Sequence, residues 1–219
     1  MLASGKTFSL VASEAPVPGC TTSRELIAGR AAAATCFSLA AGTDISAESH
    51  PYDRLELVLD GALRMYDLAG RSWEVPAGSV AVPPVGEPVG MAAKTGSVYV
   101  EASARQGKGF VMNDAIKSGQ VTRLADLLPY REGSIVNMDL AHNEGTKLAL
   151  MSFDAGTGLQ EHAAPGEALV FALEGEATIG YEGAEHTIHA GEQFKFDAGG
   201  RHYVRADKPF KMALLLMLG

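Results

Sequence analysis

The sequence predicts an all-β protein made of two copies of one unit in tandem. The 219-residue chain repeats itself, because a shift of 114 positions aligns Gly19 with Gly133 and Gly61 with Gly175. Twenty-five glycines and ten prolines divide it into many short strand-like runs at regular spacing. That pattern is typical of jelly rolls and β-barrels. Two tandem barrels are therefore the simplest interpretation of the repeat.

Each copy is expected to open with irregular chain and to continue as short strands. In the first copy the strand-like runs are residues 32–39, 54–59, 62–67, 79–82 and 98–101. Their counterparts in the second copy are residues 147–153, 168–173, 177–181, 193–196 and 212–218. Leu124, Leu127 and Leu128 have helical spacing before Pro129, which predicts a brief helical piece at the start of the second copy.

The repeat also predicts the domain boundaries. We expect an N-terminal barrel over residues 1–103 and a C-terminal barrel over residues 121–219. Residues 104–120, with three glycines and mixed charge, are predicted to link them.

Composition excludes several classes of protein. Hydrophobic residues make up 47% of the chain, enough for a sizeable core. The net charge of −8 and the lack of a basic stripe argue against a nucleic-acid partner. No apolar run reaches the 18 residues of a membrane span, and the first residues are too briefly apolar for a signal peptide. With only two cysteines, a cytoplasmic protein is expected.

Two stretches of the second copy carry a more specific pattern, GTGLQEHAAPGEALVFALEG at 156–175 and GEQFKFDAGGRH at 191–202. They resemble the paired motifs of the cupin superfamily, G-x5-H-x-H-x3-E-x6-G and G-x5-P-x-G-x2-H. The positions that agree are Gly156, His162, Gly175, Gly191, Gly199 and His202. The phrases LADLLPYREGSIV and KPFKMALLLML extend the resemblance to small bacterial cupins of uncharacterised function. The resemblance implies a jelly roll (a double-stranded β-helix) in each copy, hence a bicupin.

The resemblance also implies where a metal would bind. Imidazoles and a carboxylate converging inside a small barrel suit a first-row divalent ion. Here Ala164 and Ala168 replace a histidine and the glutamate of the motif, so only His162 and His202 remain as metal ligands. The ion would be Fe, Mn, Ni, Zn or Cu. The alternative is that both histidines are hydrogen-bonded in a pocket without metal.

Other residues are candidates for the same pocket. Gln160 shares strand parity with His162, and Glu167 adjoins the lost glutamate position, so either could supply an oxygen if the strand bulges. Aromatic residues are candidates for the wall, because small-ligand sites are largely apolar with few polar anchors. The predicted ligand-binding set is Gln160, His162, Glu167, Phe171, Phe196, His202 and Tyr203.

The first copy keeps less of the pattern. His50 is its one family-type ligand, whereas Arg54 and Val89 replace the carboxylate and the last histidine. An arginine there, with Glu48 and Asp53 nearby, predicts an ion pair in place of a metal. We expect this barrel to be metal-free.

Two functions remain open at this point, and no catalytic residue is assigned. The chain either binds a small molecule without turnover or is a metal-dependent oxygenase, isomerase or lyase. No nucleophile elbow, phosphate-binding loop or dinucleotide motif competes with these interpretations. The expected partner is a small-molecule ligand, and a homodimer is also considered. The substrate does not follow from the residues.

Overall fold

The structure, a computed structural model, describes residues 2–105 and 107–218. Its internal contacts divide the chain into two units. The N-terminal unit is Leu10–Arg123, and the C-terminal unit combines Met1–Ser9 with Leu124–Gly219. The chain is all-β, since the described residues contain only one four-residue α-helix and one three-residue 3-10 helix.

The N-terminal unit contains one short helix and ten strands within its described residues. They are α1 (Leu10–Ser13), β2 (Thr21–Ala28), β3 (Ala32–Leu39), β4 (Thr43–Ser49), β5 (Arg54–Asp67), β6 (Ser72–Pro76), β7 (Ser79–Ala81), β8 (Pro88–Ala93), β9 (Ser97–Ala104), β10 (Val111–Met112) and β11 (Val121–Arg123). One sheet path runs β11-β7-β5-β9-β3-β2. The long strand β5 continues into a second group, where it pairs with β6 and β8, and β8 pairs with β4.

The C-terminal unit has a matching arrangement. Its elements are β1 (Thr7–Phe8), a 3-10 helix (Leu124–Asp126), β12 (Ile135–Asn143), β13 (Thr146–Phe153), β14 (Thr157–Ala163), β15 (Gly166–Glu174), β16 (Glu176–Tyr181), β17 (Ala184–His189), β18 (Gln193–Phe196), β19 (Arg201–Ala206) and β20 (Phe210–Leu218). One sheet path runs β1-β18-β15-β20-β13-β12, and a second sheet runs β14-β19-β16-β17.

The irregularities of the two units repeat with the sequence. Each unit has three strand pairs whose register shifts at a β-bulge, and every bulge has a partner 114 residues further along the chain. The pairs are Glu25/Ile27 with Asp139/Ala141, Ile45/Glu48 with Leu159/His162, and Val58/Asp60 with Ala172/Glu174. Bulges bend strands and redirect side chains, so the repeat extends to where each copy curves.

Strand alternation places a separate core in each unit. In the C-terminal unit Val170, Phe194 and Phe196 belong to one buried cluster with residues of both sheets. In the N-terminal unit Val58 and Tyr99 lie in the equivalent cluster. Because successive side chains of a strand point to opposite faces, membership of these clusters identifies the inward face of each strand.

The beginning of the chain differs from the boundary expected at residues 1–103. Thr7 of β1 pairs with Phe194 of β18, and the Gly5 amide donates 3.1 Å to the Lys195 carbonyl, so residues 2–9 belong to the C-terminal unit. The repeat equivalent of β1 is β11, which pairs with β7 of the N-terminal unit. Each leading strand therefore completes the sheet of the other copy. Sequence similarity does not reveal this exchange, because both sheets offer the same kind of edge.

A brief helical piece lies at the start of the second copy, as the leucine spacing predicts. The spacing of Leu124, Leu127 and Leu128 predicts a helical piece, and the structure has a 3-10 helix over Leu124–Asp126 alone. None of the helices in the described residues is long and apolar enough to cross a membrane.

Candidate functional site

The two histidines of the cupin-like pattern lie side by side. His162 of β14 is the register partner of His202 on β19. Their ring centroids are 4.4 Å apart, with the planes inclined by 52°. The bulge between Leu159 and His162 brings them opposite each other, because it inserts one extra residue before His162.

Both rings are oriented by the backbone. Nδ1 of His162 lies 2.9 Å from the Gln160 carbonyl oxygen, and Nδ1 of His202 lies 2.9 Å from the Gly200 carbonyl oxygen. A carbonyl oxygen only accepts, so each Nδ1 carries the proton in the neutral ring. Each Nε2 then presents a lone pair. Within residues 2–105 and 107–218, no hydrogen bond engages either Nε2.

The two rings differ in environment. His162 is exposed, whereas His202 is only 7% exposed and stacks on Phe196 with ring centroids 4.0 Å apart. Burial lowers the pKa of His202 below its usual range, and the neighbouring His162 lowers it further, against the opposing effect of the Gly200 carbonyl. His202 is therefore a neutral hydrogen-bond acceptor at neutral pH.

Gln160 and Tyr203 lie on a different surface from the histidine pair. The bulge after Leu159 removes the parity that Gln160 would share with His162, and the Gln160 side chain is exposed. Gln160 and Tyr203 both line an outer groove, where the Tyr203 hydroxyl contacts the Glu185 carboxylate. Gln160 contributes its backbone carbonyl to the pair, and the structure does not bring the Tyr203 side chain to it.

Glu167 and Phe171 also lie away from the pair. Ala168 and Val170 of β15 belong to the inward cluster, so the odd-numbered positions 167 and 171 face the other side of the sheet. Glu167 is half-buried there and forms a 2.8 Å ion pair with the buried Lys195. The expectation that Glu167 and Phe171 line one pocket with Phe196 does not agree with this placement.

The histidine pair is an incomplete metal site. Structural zinc sites have four protein ligands, and catalytic ones have three with a water molecule. The described residues contain no group of three or more His, Cys, Asp or Glu side chains arranged to hold a metal ion. The two oriented Nε2 atoms suit a metal, but the set lacks a third ligand, so these residues do not fit a firmly held ion.

The equivalent position in the N-terminal unit has lost both imidazoles. Glu48 and Val89 are register partners there, 114 and 113 residues before His162 and His202. His50 lies nearby, with Nε2 3.9 Å from the Glu48 carboxylate. Burial lowers the pKa of His50, and the adjacent positive charge of Arg54 lowers it further.

The predicted ion pair of Arg54 exists with different partners. We expected Glu48 or Asp53 as the carboxylate. Nη1 of Arg54 lies 3.5 Å from the Glu101 carboxylate and 3.9 Å from the buried carboxyl group of Glu56. The three side chains share the inward face of β5 and β9, since Glu56 and Glu101 are register partners. The pairing of β5 with β9 supplies Glu101, whereas Glu56 lies on β5 itself, on the same face as Arg54.

Sequence reasoning missed three residues of these two regions. Tyr181 is the register partner of His202 on its other side, and its hydroxyl donates 3.2 Å to Asp197. Glu56 and Glu101 were also not singled out. For Glu56 a signal was present, because Arg-Leu-Glu-Leu-Val alternates charged and apolar residues at the start of a strand whose first five residues are buried.

Part of the chain matches a known protein family. Residues 149–218 match the family model described as a cupin domain. That segment contains both histidines of the pair. No curated protein matches the chain.

Solved structures resemble the whole chain. A cupin 2 conserved barrel domain protein from Leptotrichia buccalis superposes with a TM-score of 0.88 at 22% identity, over 99% of this chain and 98% of that one. A salicylate 1,2-dioxygenase mutant from Pseudoaminobacter salicylatoxidans gives a TM-score of 0.66 at 11% identity, over 89% and 75%. A mutant of Bacillus subtilis oxalate decarboxylase gives 0.57 at 14% identity, over 100% and 78%.

At these identities the solved structures establish the fold, and the family model covers the segment that carries the motifs. The chain is an all-β protein with a cupin barrel fold, and the comparisons support the cupin superfamily for it.

Proposed function

We propose that the chain is a bicupin that binds a small molecule at the His162–His202 pair of its C-terminal unit. The single observation that carries the proposal is the geometry of the pair. Two rings 4.4 Å apart are held by their Nδ1 atoms, so both Nε2 atoms present lone pairs. The proposal of two tandem barrels is supported by the bulges that recur at the 114-residue shift.

The chemistry of the pair defines the ligand class. The two Nε2 lone pairs accept hydrogen bonds, so the ligand offers two donors close together, as an aromatic diol does. Phe196 beneath His202 contributes apolar surface. Apolar walls with a few convergent polar groups are typical of small-ligand sites.

The experiment is a titration of ¹⁵N- and ¹³C-labelled protein with catechol. We expect the ring signals of His162 and His202 to shift with catechol concentration in the wild type. The double variant His162→Ala, His202→Ala should lose the binding. A matched control, His186→Ala, changes a histidine elsewhere in the same unit. Unchanged affinity in the double variant would refute the proposal.

A second candidate function is a metal-dependent oxygenase, isomerase or lyase. The observation that favours it is the structural likeness to an oxalate decarboxylase and a salicylate 1,2-dioxygenase. Against it stands the two-ligand set at the pair. Metal analysis of protein purified without chelator discriminates the two. Near-stoichiometric Fe, Mn, Ni, Zn or Cu that disappears in the double variant would favour the enzyme, and oxalate and salicylate would be the first substrates to assay.

The proposal extends to the cellular location and the oligomeric state of the protein. A cytoplasmic location is supported by Cys20 and Cys36, which are both free thiols. A homodimer stays a prediction, and the mass of the purified protein in solution tests it.

A further inference from the structure

A second cavity lies inside the N-terminal unit. Its volume is about 140 Å³. One wall is aromatic, since Phe37 and Tyr99 stack with ring centroids 5.1 Å apart and planes within 9°. Another wall is charged, with the mostly buried Arg54 and Glu101, and the more exposed Glu48 and His50 also line the cavity. A cavity of roughly 150 Å³ accommodates benzene, so this one has room for about one six-membered ring.

The charged wall of the cavity has hydrogen-bond donors and acceptors that are free to contact a ligand. The Arg54 and Glu101 side chains are 8% and 16% exposed. Among the described residues, the single hydrogen bond of the Arg54 guanidinium is the 3.5 Å bond from Nη1 to Glu101. A guanidinium has five N–H donors, so most of them remain for a ligand. The Glu101 carboxylate lies beside them as an acceptor.

Glu56 lies next to this pair and keeps a proton. Its residue is 0% exposed, and neither carboxylate oxygen accepts a hydrogen bond from a described group. Burial raises the pKa of Glu56 well above its usual range, and the negative charge of Glu101 raises it further. These surroundings favour the protonated, uncharged form of Glu56. With Glu56 protonated, the charge of Arg54 is balanced within this three-residue cluster by Glu101.

The fold itself does not require this cluster. The equivalent inward positions of the C-terminal unit hold Ala168, Val170 and Leu214, at shifts of 114, 114 and 113. Two of these, Ala168 and Val170, lie in its buried core. Buried charges and unpaired carboxyls generally cost stability relative to apolar residues. The N-terminal unit thus carries a costly polar cluster in a barrel that can form without one.

We propose that this cavity is a second binding site, for an uncharged molecule of one-ring size that carries a hydrogen-bond donor and acceptor side by side, such as an aromatic primary amide. The amide oxygen accepts from the Arg54 guanidinium, and the amide N–H donates to Glu101. The ring lies against the aromatic wall of Phe37 and Tyr99. The site is independent of His162 and His202, which belong to the other unit.

Charge balance selects the neutral ligand. A carboxylate of the same shape would bring a second negative charge beside Glu101, and an amidinium would bring a second positive charge beside Arg54. Like charges in contact cost several kcal/mol when partly buried. Benzamide, benzoate and benzamidine differ in charge at nearly constant shape, so they test this selectivity directly.

The test is a titration of ¹⁵N-labelled wild-type protein with each of the three probes. We expect benzamide to shift amide signals of β8 and β9 and to bind at least about tenfold more tightly than either charged probe. The variant His162→Ala, His202→Ala serves as control and should bind benzamide unchanged. The absence of benzamide-dependent shifts in β8 and β9 would overturn the proposal, and so would benzoate or benzamidine binding as tightly.

A charge variant adds a second criterion. In Glu56→Gln, Glu101→Gln, Arg54 loses both carboxyl groups that lie within 4 Å of it. The order of affinities should then invert, and benzoate should bind about tenfold more tightly than benzamide. Dispersed amide spectra check that the variant is folded. If the folded variant keeps the wild-type order, Arg54 and Glu101 do not form the site.

Discussion

At the scale of single residues, the properties of both sites depend on how burial changes protonation. His202 and Glu56 are both buried, and burial favours the uncharged form of each, because it lowers the pKa of His202 and raises that of Glu56. For an imidazole this means losing a proton more easily, and for a carboxyl it means keeping one. Burial therefore favours a neutral hydrogen-bond acceptor, His202, in the C-terminal unit and a neutral carboxyl group, Glu56, in the N-terminal unit.

The first prediction concerns the coupling of the two histidines. Removing the ring in His162→Ala should raise the pKa of His202, because His162 lowers it and because the truncation admits water. Histidine ring signals followed through a pH titration measure this. The control, His189→Ala, changes an exposed histidine on β17 and should leave the His202 titration as it was. A His202 pKa that falls or stays constant in His162→Ala would contradict the coupling.

The folded pKa of His202 also sets a pH dependence of stability. It lies below the ordinary value of 6.5, so the folded chain binds fewer protons than the unfolded chain between these two values. The contribution is present above pH 6.5 and is lost as pH falls through the folded pKa.

The second prediction concerns Glu56. Its folded pKa lies above the ordinary value of 4.5, so its contribution to stability is greatest below pH 4.5 and declines as pH rises toward the folded pKa. Glu56→Gln removes that proton uptake at nearly the same shape. We expect the variant to be more stable than the wild type at pH 7, with the difference shrinking toward pH 4.5. Urea unfolding at both pH values measures it.

The matched control for Glu56→Gln is Glu25→Gln, which changes an exposed glutamate of the same unit. Its effect should be small and the same at both pH values. A Glu56→Gln variant that is less stable at pH 7 than at pH 4.5, relative to the wild type, would show that Glu56 is ionised in the folded protein.

At the scale of elements, glycines determine where each long strand turns. Gly61 and Gly175 are repeat partners, with φ of 69° and 75°. A Cβ at Gly61 would collide with the Gly96 carbonyl oxygen, and one at Gly175 with the Pro209 carbonyl oxygen. Both positions therefore require glycine, for their positive φ and for the close approach of the neighbouring backbone.

The third prediction compares two glycines of one unit. Gly183 has a φ of 83° but nothing within 4 Å of its Cβ position, so Gly183→Ala should cost only the roughly 1–2 kcal/mol of the left-handed backbone. Gly175→Ala adds a backbone collision and should cost clearly more. Urea unfolding of both variants and the wild type measures the two losses in the free energy of unfolding. Equal losses of stability in the two variants would mean that the backbone near Pro209 moves away from the new Cβ at little cost.

At the scale of the whole molecule, the exchange of leading strands ties the start of the chain to its C-terminal unit. The Ser4 hydroxyl also donates 2.5 Å to Asp197, next to the pairing of β1 with β18. The fourth prediction is that removing residues 1–9 exposes the edge of β18. Hydrogen exchange of β18 amides should accelerate, with a fall in Tm of roughly 4–8 °C for a loss of about 2 kcal/mol.

Two controls make this prediction specific. Ser4→Ala removes one side-chain bond and should leave the exchange of β18 nearly unchanged. The amides of β13, in the middle of the same sheet, should keep their protection in the truncated chain. Faster exchange in β7 with β18 unaffected would show that residues 1–9 serve the N-terminal unit, as the repeat alone suggests.

The sequence by itself determined the features that local spacing controls. The all-β class, the 114-residue repeat and the glycine positions follow from residue patterns within each copy. The pairing of His162 with His202 also follows from motif spacing, and the structure places their rings 4.4 Å apart. These features depend on strand alternation and backbone sterics, which act over a few residues.

Only the tertiary structure decided which strands became neighbours and which way their side chains point. One extra residue at the bulge before His162 put that histidine opposite His202 and left Gln160 on the outer face, and strand parity put Glu167 and Phe171 on the far face. The hydrogen-bond partner of Arg54, Glu101, came from β9 and lies 47 residues away. The pairing of β1 with β18 spans still more of the chain. Such contacts are selected by the free energy of the whole packed sheet, and neighbours in sequence do not specify them.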